Sequence, residues 1–240
     1  ALGSRGAVLK NPYCDDPHNY GILRTSADDL KYYAREIAEM GFQMNTHAIG
    51  DSTVSVLLKE YKEVLSKIDD PRWRIEHSQV VDVNEFELYN DKILPSIQPT
   101  HATSDMYWAY DRLGSRIKGA YAFKDLLKSS NKVALGTDFP VEKVNPFHTF
   151  YSSVERKDLR GYPENGFQME NSLSREETLK GMTIWGAYFN FEEHEKGSLE
   201  VGKSADFVVL NQNIMEVEAD LIPNTEVLQT YIDGELVYSR

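Results

Sequence analysis

The chain contains very little cysteine, and this scarcity excludes two kinds of site. Cys14 is the sole cysteine among 240 residues, so neither an internal disulfide nor a cysteine-rich zinc site can be built. Long apolar runs are also absent, because no stretch approaches the roughly 18 residues that span a bilayer. Residues 1–20 lack the apolar core of a signal peptide. The sequence therefore predicts no membrane-spanning segment.

Positive charge is the second shortage. Lys and Arg total 26 against 38 Asp and Glu, which gives a formal net charge of −12. Nucleic acid and anionic membranes would repel such a surface, so we expect neither as a partner. A hydrophobic share of 41% is ordinary for a globular protein. The length of 240 residues fits one α/β barrel or one to two smaller domains.

Segments with helical periodicity alternate with short apolar runs up to Asp138. This alternation is typical of βα units, and it predicts an α/β fold with a mainly parallel sheet. The strand predicted over 133–137 is apolar without alternation, as in strands that are buried on both faces. The predicted strands cover 42–47, 73–77, 93–98 and 133–137, and the predicted helices cover the segment between Ser26 and Gly41, then 52–66, 83–89 and roughly 112–128.

The residues after Asp138 have a different character. Ser174 and Glu177 have the spacing of a capping box, which predicts the start of a helix. Asp233-Gly234 lies between two apolar runs, which is a strong signal for a β-hairpin. The predicted segments are a helix over 145–156, a long loop over 158–172, a helix from 174 to about 188, a strand over 206–210 and the hairpin within 229–238.

Two histidines stand at the ends of predicted strands. His47 ends the first strand and precedes small residues that allow a sharp turn, and His77 ends the second strand. On an α/β barrel, the carboxyl ends of the strands form the face where active sites are assembled. Imidazole nitrogens at this face predict a metal site or a proton-transfer site. The alternative for each histidine is a buried ring that hydrogen-bonds a backbone carbonyl.

Asp138 follows the fourth predicted strand, and its place after an apolar run argues against a solvated charge. A carboxylate beside metal-activated water can take a proton from that water and deliver it to a leaving nitrogen. The alternative is that Asp138 caps the amino terminus of a helix. His101, which follows the third strand, is interpreted as a pocket residue or as a polar loop residue.

Five ordered motifs resemble the amidohydrolase superfamily. They are THAIGD, RIEHSQ, QPTHATSDM, LGTDFPVE and KGSLEVGKSADFVVL, and they cover nearly the whole chain. The resemblance is to the amidohydrolase-3 branch, which includes N-substituted formamide deformylases. It implies the C-terminal half of a metal-dependent TIM (β/α)8 barrel over residues 1–195. Strands of a small β-sandwich domain would follow over residues 196–240.

The resemblance also implies roles for individual residues. His47 and His77 match the metal ligands after the fifth and sixth barrel strands. Asp138 matches the aspartate after the eighth strand, which is both metal ligand and general base. The implied cofactor is a divalent metal, with zinc as the first choice. His101 is expected to contact substrate, and Arg5, in a loop expected near the barrel mouth, is expected to do the same.

The chain lacks two features that the family has in the first half of its barrel. It has neither the His-x-His pair that follows the first barrel strand nor the lysine that follows the fourth. We therefore expect a fragment equivalent to strands five to eight and the C-terminal tail. An open sheet edge should then pair with a second copy, as a homo-oligomer, or with the missing N-terminal half.

The implied activity is hydrolysis of a non-peptide C–N bond in a small-molecule amide, of N-acyl or N-formyl type, by metal-activated water. A second interpretation is deamination of a nucleobase. Enzymes with that chemistry usually carry a glutamate soon after the histidine that matches His47, and here Ala-Ile-Gly-Asp follows instead. A third interpretation is a catalytically inactive, metal-free fragment.

Overall fold

The computed structural model, which describes residues 1–240, has helices with short strands among them over most of its length and three consecutive strands at its end. They are α1 Ala27–Glu39, β1 Asn45–Ala48, α2 Asp51–Val64, β2 Trp73–His77, β3 Ile93–Ile97, α3 Pro99–Asp105, α4 Ala109–Leu113, α5 Phe123–Ser130, β4 Ala134–Leu135, α6 Pro146–Glu155, α7 Arg175–Met182, α8 Ile184–Phe189, β5 Phe207–Leu210, β6 Val227–Ile232 and β7 Glu235–Ser239.

The chain divides into two compact units. The first unit contains Ala1–Ile97 and Ser104–Val133, and the second unit contains Gln98–Thr103 and Ala134–Arg240. The domain boundary expected between positions 195 and 196 stays a prediction. None of the helices combines the length and the apolar character that crossing a bilayer requires.

The first unit is built on a parallel sheet in which β2 lies between β1 and β3. In this register Ala48 is opposite His77, so the carboxyl ends of β1 and β2 lie side by side. Helix α2 connects these two strands, as the crossover of a parallel pair requires. The predicted α/β class with a parallel sheet is confirmed. The helix buries one apolar face, formed by Val54, Leu57, Leu58 and Tyr61.

Two predicted helices of the first unit are wrong or interrupted. The segment predicted as a helix over 83–89 contains one 3-10 turn, Phe86–Leu88. The carboxylate of Asp82 accepts a hydrogen bond from the Asn84 backbone N–H at 3.0 Å, and this local bond competes with helical pairing. The helix predicted over 112–128 is divided, because Gly114 has a φ of 55° at the end of α4.

The second unit confirms two signals from the sequence. The Oγ of Ser174 accepts from the Glu177 N–H, and the Glu177 carboxylate accepts from the Ser174 N–H, which is the predicted capping box. The helix ends at Met182, however, and α8 follows a break at Thr183. Asp233 and Gly234 have φ values of 50° and 79° and connect β6 to β7, as predicted for a hairpin.

Candidate functional site

The imidazoles of His47 and His77 lie together at the carboxyl ends of β1 and β2. Their ring centroids are 4.4 Å apart, and the ring planes are inclined by 73°. The His47 side chain is exposed, whereas His77 is only 7% exposed. The parallel register places the two histidines next to each other, as the pattern of strand ends predicted. The first unit therefore presents two imidazoles at one point on the edge of its sheet.

The loop after His47 is held close to the N-terminal segment. A Cβ atom at Gly50 would lie 2.0 Å from the carbonyl oxygen of Val8, so no larger residue fits at this position without a shift of the backbone. The Val80 N–H donates to the carbonyl oxygen of Ile49 at 2.9 Å, and this bond ties the loop after β1 to the loop after β2. The two loops that carry the histidines are thus joined directly.

The backbone after β2 adopts a conformation that is costly for residues with a side chain. His77 has a φ of 74° and Ser78 a φ of 43°, so two consecutive non-glycine residues are left-handed. Each such residue costs about 1–3 kcal/mol relative to the usual conformations, and the surrounding structure must hold it. Strain of this kind concentrates at functional sites, which fits the expected role of His77.

In the second unit His101 lies between two carboxylates. Its Nε2 is 3.4 Å from Oδ2 of Asp138, and its Nδ1 is 3.7 Å from Oε1 of Glu142. Burial lowers the pKa of His101, and the nearby Asp138 opposes this shift. The imidazole is therefore favoured in its neutral form, in which one ring nitrogen can accept a proton or coordinate a cation.

Asp138 differs from its predicted surroundings in two respects. Its side chain is 38% exposed, so it is in contact with solvent, contrary to the expectation drawn from the apolar run before it. It does not cap a helix, because the side chain that caps α6 belongs to Asn145. Asp138 has a φ of 56° and stands in a turn, where its backbone carbonyl accepts from the Val141 N–H at 2.8 Å.

Arg5 binds a carboxylate of the protein itself. Its Nε and Nη2 donate to the two carboxylate oxygens of Asp15 at 3.1 and 2.9 Å, and Arg112 pairs with the same carboxylate. The hydrogen bonds from Arg5 hold the pKa of Asp15 below its usual value. The expected contacts of Arg5 and of His101 with substrate stay predictions.

A cavity of about 170 Å³ opens beside His47 in the first unit. Its walls come from the N-terminal segment, the segment before α1, the end of β1 and the start of α2. Most lining residues are apolar, and the polar groups beside them are a guanidinium, three threonines and the His47 ring. A cavity with this mixture is suited to a small organic ligand. The lining includes Val8, Ile22, Leu23, Arg24, Thr25, Thr46, Ile49 and Thr53.

Sequence reasoning missed three residues that lie near predicted site residues within their own units. Glu142 follows Asp138 by four positions within LGTDFPVE, and this spacing beside a predicted site residue was the available signal. Ser78 and Tyr89 form a buried hydrogen bond under the turn after β2, 11 positions apart in the chain. No signal in the sequence links these two residues, because only the fold brings them together.

Each unit contains side-chain atoms that can coordinate a divalent cation. The first unit offers the imidazole nitrogens of His47 and His77, and the second offers the imidazole of His101 with the carboxylate of Asp138. Nitrogen and carboxylate oxygen donors are those found around zinc in hydrolases. The free thiol of Cys14 is exposed. The residues present therefore fit the kind of metal that the resemblance implies.

Comparison with known proteins agrees with these features. The model described as "Amidohydrolase family" matches residues 1–238. The protein LONG AFTER FAR-RED 3 of Arabidopsis thaliana is 32% identical over 243 residues, covering 99% of this chain and 41% of that protein. An N-substituted formamide deformylase of Arthrobacter pascens is 22% identical over 223 residues, covering 90% of this chain and 40% of that enzyme.

Solved structures give the same result for the fold. An uncharacterized metal-dependent hydrolase from Pyrococcus horikoshii OT3 superposes with a TM-score of 0.77 at 28% identity, covering 91% of this chain and 44% of that one. The expected fold class, part of a TIM barrel with a separate small antiparallel sheet, is thereby confirmed. The chain spans less than half the length of each of these three relatives.

Proposed function

Because the chain belongs to the amidohydrolase family, we propose that it supplies part of a metal-dependent active site that hydrolyses the C–N bond of a small-molecule amide. His47, His77 and Asp138 are the proposed metal ligands, and zinc is the proposed metal. Asp138 also acts as general base. One observation carries the proposal: the two imidazoles meet within 4.4 Å at neighbouring strand ends, in a chain whose family-model match covers residues 1–238.

The chemical type of each group indicates its role in the proposed site. When bound, the cation supplies Lewis acidity, which polarises a carbonyl and makes water easier to deprotonate. The imidazoles of His47 and His77 would hold the cation without adding charge, so Asp138 would be the one anionic group among the three proposed ligands. The carboxylate of Asp138 accepts the proton from water and then delivers it to the departing nitrogen. Its exposure to solvent leaves it accessible to both water and substrate.

The proposed substrate is an N-acyl or N-formyl amide with an apolar portion. Two observations support this choice. The cavity beside His47 has mainly apolar walls, which suit a hydrocarbon or aromatic group next to the scissile bond. The relative from Arthrobacter pascens is named as an N-substituted formamide deformylase, which makes N-formyl compounds the first class to test.

Deamination of a nucleobase is the weaker candidate, and Asp51 is the residue that would have to act as its proton shuttle. Asp51 is the first acid after His47, four positions on, but its carboxylate accepts the Lys10 N–H at 2.9 Å. It is 5% exposed, and burial raises its pKa. Already engaged by the backbone, Asp51 is poorly suited to shuttle protons between solvent and a ring.

The ligand set proposed here is partial. The 240 residues contain no His-x-His sequence, and the resemblance implies such a pair together with a lysine. We propose that the remaining ligands come from residues outside these 240 or from a second copy of the chain. A metal-free chain is the competing possibility. Elemental analysis of the purified 240-residue chain separates the two, because stoichiometric zinc contradicts the metal-free alternative and trace metal supports it.

Metal removal tests the proposed function. We expect a chelator to abolish hydrolysis of N-formyl and N-acyl amides by the intact protein, and we expect added zinc to restore it, because cation and general base act on the same water. Product amine measured before chelation, after chelation and after zinc addition provides the readout. A panel of nucleobases is the control. Deamination of a nucleobase without amide hydrolysis would refute the proposal.

Filling the cavity beside His47 tests where substrate binds. Thr53 lines the cavity from the first turn of α2, and Thr53→Trp should raise KM roughly tenfold with little change in kcat, because it removes binding that ground state and transition state share. Lys62→Trp places the same side chain at an exposed position of the same helix and should leave KM unchanged. Equal KM values for Thr53→Trp and Lys62→Trp would show that the substrate binds outside this cavity.

A further inference from the structure

A buried tyrosine lies under the turn that carries His77. The hydroxyl of Tyr89 donates to the Oγ of Ser78 at 2.8 Å, and Ser78 in turn donates to the carbonyl oxygen of Ile75 at 3.0 Å. Ser78 and Tyr89 are 0% and 1% exposed. Burial raises the pKa of Tyr89, so its hydroxyl keeps its proton and remains a donor. The chain of bonds therefore runs from Tyr89 through Ser78 to the backbone of β2.

This turn needs support because its backbone is strained. His77 and Ser78 both have positive φ values, of 74° and 43°. Residues with a Cβ atom relax from this region unless neighbouring groups hold them. The backbone angles at His77 set the direction of the Cα–Cβ bond from which its ring extends. Relaxation of the turn would therefore displace the ring relative to His47.

The far side of the same turn is held by a second set of bonds. The Tyr121 N–H donates to the carbonyl oxygen of Gln79 at 2.8 Å. The side-chain nitrogen of Gln79 donates to Asp105 at 3.0 Å and to the Tyr121 hydroxyl at 3.1 Å. With Gln79 anchored on one side, the bond from Tyr89 to Ser78 supports the strained pair on the other side.

We propose that Tyr89 and Ser78 are positioning residues that hold the His77 imidazole in the orientation that binds metal. The metal part of this inference rests on the proposed function. The orientation of the ring toward His47 does not, because it is carried by the geometry of the two strand ends. Groups that orient a metal ligand typically contribute between ten- and a hundredfold to metal affinity, although they never touch the ion.

Two variants isolate the hydroxyl groups. Tyr89→Phe keeps the ring and its packing but removes the donor. Ser78→Ala keeps the Cβ atom, and with it the strain at positive φ, but removes the hydroxyl that bonds Ile75 and Tyr89. Tyr151→Phe is the matched control, since Tyr151 is also buried and its hydroxyl lies 3.5 Å from Asp220 in the second unit. All variants are compared with the wild type in the intact protein, and thermal unfolding checks that each one folds.

The experiment has two readouts. In metal-free protein, the nuclear Overhauser effect between the ring protons of His47 and His77 should be strong in the wild type and in Tyr151→Phe, and weak in Tyr89→Phe and Ser78→Ala. The zinc dissociation constant, measured by competition with a chelator, should rise roughly tenfold in the same two variants only. A merely structural role for Tyr89 would lower the unfolding temperature without changing either quantity.

The outcomes separate the two proposals. Unchanged ring contact and zinc affinity in both variants, within about twofold, would overturn the positioning role. If the wild type binds no zinc, the proposed function fails, and the Overhauser effect alone then decides the positioning role. Loss of ring contact in Tyr89→Phe would uphold the role in that case. Persistence of the ring contact in Tyr89→Phe would refute the positioning role.

Discussion

Replacing Asp138 with Asn should reduce kcat for amide hydrolysis by at least about a thousandfold. Asn has the same shape as Asp but cannot accept the proton that water loses during attack on the carbonyl. It also binds a cation more weakly, because it lacks the negative charge. The left-handed conformation of Asp138, with a φ of 56°, is one that Asn adopts readily, so the turn should be preserved. The measurement is steady-state hydrolysis of an N-formyl amide at saturating zinc.

Asp233→Asn is the matched control for this variant. Asp233 is an exposed aspartate of the same unit with a φ of 50°, and it lies in the hairpin between β6 and β7. The substitution removes the same charge from the same kind of backbone, and turnover should be unaffected. Wild-type turnover in Asp138→Asn would rule out the proposed role of Asp138 as general base.

Replacing His47 with Ala should weaken zinc binding at least about a hundredfold and remove most turnover. The effect is expected to be large because one imidazole of an adjacent pair is lost. The His47 side chain is exposed, so its removal leaves no cavity in the core and should hardly change the free energy of unfolding. Zinc affinity is measured by chelator competition, and stability by urea unfolding.

His18→Ala serves as the control for a general effect of losing a histidine. His18 is exposed in a loop of the same unit. Zinc affinity should stay within about twofold of the wild type in this variant. A His47→Ala protein that still binds zinc as tightly as the wild type would show that His47 is not a ligand.

The positions of His47 and His77 could be predicted from the sequence because two strong regularities coincide. Each histidine ends a short apolar run, and the carboxyl ends of neighbouring parallel strands lie at one edge of a sheet. The structure confirms this expectation with a ring separation of 4.4 Å. Motif order and family resemblance then supplied the expected roles.

Other features could not be predicted, because they depend on competition between local and tertiary interactions. The apolar positions around 83–89 suggested a helix, yet the Asp82 carboxylate captures the Asn84 N–H and limits the segment to one turn. The exposure of Asp138 is set by the turn that follows β4 rather than by the hydrophobicity of the strand before it. The bond from Tyr89 to Ser78 is likewise a product of the folded packing.

X-ray diffraction at the zinc absorption edge, from crystals of the zinc-loaded intact protein, tests the proposed ligand set most directly. We predict an anomalous peak at about 2.0–2.3 Å from one nitrogen of His47, one nitrogen of His77 and a carboxylate oxygen of Asp138. A zinc ion bound by other residues, with both imidazoles outside coordination distance, would contradict the proposed metal site and the hydrolysis derived from it.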